Sequence, residues 1–213
     1  MKALLLRACV AAAAFGYALG AAHSERYALR NLVKLPLLIV GTALVCAPSY
    51  WVAARMLGAR LGFATTQRVA LLLFHDAAVL LASLAPVVWF LGRVLRATDD
   101  GWLGGYDTFL AATMGAVAGC GALALVRQAR VLLRQHHCGR RTARAVVMAW
   151  LALALVVGGQ AAFWLRPLFG LPASRGANPP WFLGATPDLR GATSFYEMVW
   201  QTIARPELRL GGR

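Results

Sequence analysis

The pair of residues in this chain best equipped for chemistry is His75 and Asp76, which sit side by side inside an apolar run, Val69 to Leu91, that holds no other acid. An imidazole beside a carboxylate can relay a proton or hold a cation, and the same two side chains can equally be seated against a neighbouring helix by hydrogen bonds. An ionised Asp at the middle of a bilayer costs about 2.5 to 3.5 kcal/mol on insertion scales, so some partner must offset it. Adjacent residues on a helix point about 100° apart, and the pair is therefore not expected to face one narrow pore together. With no second acid inside an apolar run to complete a relay, the expected role is structural, bonded to a neighbouring helix about two turns from the cytoplasmic end.

Four other groups could carry chemistry. Gln160, inside a later apolar run, is expected to hydrogen-bond across helices, and Arg166, behind Trp164, to anchor at the interface or to hold a lipid phosphate or another anion. His136, His137 and Cys138 are soft ligands, but consecutive residues rarely wrap one metal and no fourth ligand is near, so no metal is expected. Around them, Arg127, Arg130, Arg134, Arg140, Arg141 and Arg144 make a connector without any acid, suited to lipid headgroups. The chain contains no G-x-S-x-G, H-E-x-x-H, P-loop or dinucleotide fingerprint, and neither a catalytic residue nor a cofactor is expected.

The elements that must position these groups are apolar and long. The composition is 60% hydrophobic and 14% charged, where a soluble domain carries about 25% charged residues. A net charge of +14 could suit nucleic acid, but the arginines cluster at the ends of apolar runs and not in a stripe with interleaved aromatics, so no nucleic acid is expected. The pattern predicts an all-α polytopic helical bundle over residues 1–170, with spans at about 4–22, 35–56, 69–91, 108–126 and 145–165. The first run also has the look of a signal peptide, although Gly16 and Gly20 form a GxxxG face suited to a retained helix, which is the preferred reading. Glu25, Arg26, Arg30 and Lys34 read as a polar connector, and Gly101, Gly104 and Gly105 as a glycine-rich turn. Gly115, Gly119 and Gly121 offer a smooth face to another helix, and the first part of the basic connector, with apolar spacing at Val126, Ala129, Leu132 and Leu133, is expected either to continue the fourth helix out of the membrane or to lie along the membrane surface. Residues 171–213 read as an irregular interfacial tail rich in proline and aromatics. It ends in a short amphipathic helix, with a capping box at Ser194 and Glu197 and apolar positions at Phe195, Met198, Val199, Thr202 and Ile203.

Comparing connectors only, three plus six bases on one side face three plus two on the other, which puts the amino terminus in the cytoplasm and the tail outside. The stretches K-L-P-L-L (Lys34 to Leu38), L-A-S-L-A-P (Leu81 to Pro86), G-Q (Gly159, Gln160), W-L-R-P-L-F-G (Trp164 to Gly170) and S-F-Y (Ser194 to Tyr196) resemble a family of uncharacterised bacterial multi-pass proteins, similar in layout to the Yip1-type five-helix membrane proteins. That resemblance implies a compact five-helix bundle that organises membranes or recruits partners, and the Ala- and Arg-rich composition suits the bacterial cytoplasmic (inner) membrane. The expected function is a non-enzymatic scaffold, assembly factor or partner subunit, with anionic lipid and a membrane-protein partner or a second copy as its company. The alternative is a small permease or channel using Asp76 and His75.

Overall fold

The computed structural model describes residues 2–22, 24–97, 102–135 and 139–165, together with Trp181, Ser194 and Glu197. Five helices follow one another: α1 (Lys2–Ala21), α2 (Glu25–Met56), α3 (Phe63–Ala97), α4 (Trp102–Gln135) and α5 (Arg140–Trp164). All five carry segments long and apolar enough to cross a membrane, and among the described residues there is no strand.

The helices overrun the apolar runs, and local chemistry explains where. The expected polar connector is instead the opening of α2: the Ser24 hydroxyl accepts from the backbone N–H of Tyr27 at 3.4 Å, and Glu25 lies in the first turn, where the helix dipole favours an acid. Arg26, Arg30 and Lys34 are thereby carried on a helix of 32 residues, about 48 Å long. Gly104 and Gly105 are likewise helical within α4, not part of a turn. Each glycine costs a helix interior about 1 kcal/mol, which the rest of a 34-residue helix outweighs. Three of the six connector arginines ride the end of α4 and three open α5. The α2–α3 turn is closed by a Schellman arrangement, with Ala59 N–H on the Ala54 carbonyl at 2.9 Å and Gly58 N–H on the Arg55 carbonyl at 3.1 Å. Gly58 sits there at φ 85°, a conformation costly for any residue with a Cβ. Trp51 braces the same turn, donating from Nε1 to the Leu61 carbonyl at 3.2 Å and meeting Phe63 edge-on.

Two cores hold the bundle. One joins α2 to α5 at the end where α2 stops and α5 starts, with Cys46, Tyr50, Ala54, Leu73, Leu125, Leu132, Val146 and Trp150 buried together. Trp150 is its centre, stacked on Tyr50 with ring centroids 4.9 Å apart and donating from Nε1 to the Tyr50 carbonyl at 2.9 Å. The other core joins α1 to α2 and α3 through Ala8, Ala12, Phe15, Leu19, Leu35, Ala78 and Leu81. Here the backbones come unusually close: a Cβ added at Gly16 would fall within 3.0 Å of the Asn31 carbonyl, and one at Gly20 within 3.0 Å of the Tyr27 carbonyl. Asn31 and Lys34 are buried along the same stretch of α2.

These contacts fix the level of α1. Lys2 lies about four turns before Gly16, which brings it level with about Cys46 on the antiparallel α2, and α2 continues about three turns further to Met56. The core around Trp150 therefore extends past the start of α1.

Overpacking at the close contact gives the first expected outcome. Gly16→Leu should cost about 1–3 kcal/mol or more and lower the melting temperature in detergent, whereas Gly115→Leu, where nothing lies within 4 Å of an added Cβ, should leave it unchanged. Trp150→Ala should cost about 3–5 kcal/mol by the same measurement, through loss of the buried ring.

Candidate functional site

The polar groups of α3 meet α4 at one place. Asp76 lies about three and a half turns into α3, three positions after the buried Leu73, and Gln128 lies on α4 in helical phase with the buried Leu125 and Leu132. Gln128 Nε2 donates to Asp76 Oδ2 at 2.5 Å. The other carboxylate oxygen, Oδ1, lies 3.3 Å from His75 Nδ1, so both oxygens of Asp76 are engaged by different side chains. The expectation that His75 and Asp76 diverge holds for their Cβ directions but not for their tips, because the imidazole is long enough to swing back over its neighbour. Both side chains are half-buried, at 20% and 27% exposure. Among the described residues no group of three or more potential metal ligands is present.

Depth matters to what such a cluster can do. Through the short α2–α3 turn, Asp76 comes level with about Ala43 and hence with the first turns of α1. The acid thus stands near one end of α1, not at its midpoint, where ionisation would be most costly.

The six arginines form the second candidate. Arg127, Arg130, Arg134, Arg140, Arg141 and Arg144 are all exposed, and among the described residues none is paired with a carboxylate. The last three, with Ala145 and Met148, line an open cleft of about 400 Å³ at the start of α5. Gln160 is half-buried on the last part of α5. Arg166, His136, His137 and Cys138 lie outside the described residues, as does most of the tail. Within the tail, Ser194 Oγ accepts from the backbone N–H of Glu197 at 3.2 Å and Glu197 is helical, while Phe195, Met198, Val199, Thr202 and Ile203 lie outside the described residues. Trp181 is reached by Arg30, whose guanidinium sits 5.3 Å from the ring centroid, which brings one tail aromatic to the opening of α2.

Sequence reasoning singled out Asp76 without its partner. Gln128 stood among arginines in a stretch read as surface, yet its spacing of three and four from Leu125 and Leu132 is the signal that puts it on the inner face. Gly115 and Gly119, expected to admit another helix, meet nothing within 4 Å among the described residues.

The pair should show itself energetically. Asp76→Leu and Gln128→Leu, alone and together, should give a coupling of about 1–3 kcal/mol in a double-mutant cycle of detergent stability, while Asp76→Asn, still an acceptor, should retain most of it. No family model, curated protein or solved structure matches this chain.

Proposed function

We propose that the protein is a non-enzymatic helical-bundle scaffold or partner subunit of the bacterial cytoplasmic membrane, its amino terminus and basic end in the cytoplasm, with α1 retained as a membrane helix. The observation that carries this reading is the exposed face of α4. Ala112, Gly115, Ala118 and Gly119 lie open on it, and a Cβ added at either glycine meets nothing within 4 Å. Helices in lipid associate by backbone approach over such small residues, since apolar side chains gain nothing by leaving lipid for one another. A face of this kind suits a second membrane helix, from a different protein or from another copy of this chain. The engagement of both Asp76 oxygens within the bundle fits the same reading, because an acid committed to a cross-helix bond offsets its own burial.

The permease reading draws on one observation, the 3.3 Å approach of His75 Nδ1 to Asp76 Oδ1, which is short enough for a proton to pass. The two readings separate on two measurements. Purified in mild detergent, the intact protein should carry a stoichiometric partner or a second copy, and Gly119→Leu should remove that company without lowering the melting temperature. A partnerless monomer whose proton flux in liposomes disappears in a folded Asp76→Asn variant would instead establish the permease.

A further inference from the structure

We propose that the opening of α5 binds one anionic phospholipid, its phosphate held among Arg140, Arg141 and Arg144 and one acyl chain laid along Met148, Ala152 and Val156. The proposal rests on the reading of the bundle as embedded in lipid, and it gives the basic end a defined ligand in place of a diffuse field.

The head of the site is at the cleft of about 400 Å³ lined by the three arginines with Ala145 and Met148; its wall is apolar, so the arginine stems form a bed for the glycerol and upper acyl chain, and the guanidinium groups beyond them take the phosphate. An arginine fork matches a phosphate in two parallel hydrogen bonds, and three such forks without a neighbouring described carboxylate leave the positive charge available to a ligand. The residue before the helix is Gly139, which makes no side-chain cap bond to the first N–H groups of α5.

The tail of the site is what selects a lipid over free phosphate. Arg144, Met148, Ala152 and Val156 follow one another at intervals of four, so they run down a single, slowly winding lane of α5, and all four are exposed. The charge is at the top of this lane and everything below is apolar, the same order as in a phospholipid. The apolar run from Ala145 to Leu165 is about 30 Å long, which places the arginines at the edge of the hydrocarbon layer, where a phosphate lies. The arginines of α4 (Arg127, Arg130, Arg134) carry the same charge on a different helix, which makes them a control of equal charge at a different place.

The test uses the full-length protein in detergent with equal amounts of phosphatidylglycerol and phosphatidylcholine, read by native mass spectrometry. Membrane extraction and resistance to a carbonate wash are checked first: failure there would remove the embedded-bundle reading, whereas failure in the lipid measurement alone would remove only the site. The expected result is one retained phosphatidylglycerol, preferred at least about tenfold over phosphatidylcholine. The affinity for phosphatidylglycerol should fall roughly fivefold per arginine, on the order of a hundredfold in Arg140→Gln/Arg141→Gln/Arg144→Gln, which abolishes the preference, whereas Arg127→Gln/Arg130→Gln/Arg134→Gln should retain it. If the α5 triple variant does not stay monodisperse, Arg144→Gln alone is read, with roughly fivefold weakening expected. Equal retention of the two lipids, equal loss in both triple variants, or displacement of the lipid by excess inorganic phosphate would each overturn the proposal, the last by showing an anion site without a lipid.

Discussion

In lipid there is no water to drive apolar faces together, so a bundle must be held by close backbone approach and by bonds between polar groups. Both are present and they occupy different helix pairs. Gly16 and Gly20 let α1 lie directly on the backbone of α2. Trp150 to Tyr50 and Gln128 to Asp76 then tie α5 to α2 and α4 to α3. The location of each tie follows from depth: the glycine contact serves the half of the bundle lined by small apolar side chains, and the hydrogen-bonded ties lie toward the end where the charges gather.

The number of helices and their approximate places were legible because length and hydropathy alone decide what can cross a membrane. What hydropathy could not show is where a helix stops once it leaves the apolar zone. Glu25 to Lys34 read as a connector because they are charged, but a helix in an interface can carry charges, and Ser24 with Glu25 supplied the start signal. Gly104 and Gly105 misled in the opposite sense, since glycine marks a turn only when neighbouring sequence does not favour the helix.

The candidate site was half legible. An acid inside an apolar run is conspicuous in any sequence, whereas its partner, a glutamine among arginines, is conspicuous only when helical phase is counted through the buried Leu125 and Leu132. Tyr50 and Trp150, a hundred positions apart, share no local signal at all. The lane below Arg144 lies in plain view as a spacing of four, but a spacing says nothing of exposure until neighbouring helices are in place.

The unequal lengths of α1 and α2 bear on how cohesive the bundle is. The core around Phe15 needs α1, while the core around Trp150 is built from the other four helices alone. Stability in such a molecule is not one quantity. Loss of α1 would strip the Phe15 core of Ala8, Ala12, Phe15 and Leu19 while every helix of the Trp150 core stayed in place. A chain assembled helix by helix would complete the Trp150 unit only when α5, the last of the five, arrives, and until then the α1–α2 hairpin would be the part already in its final form.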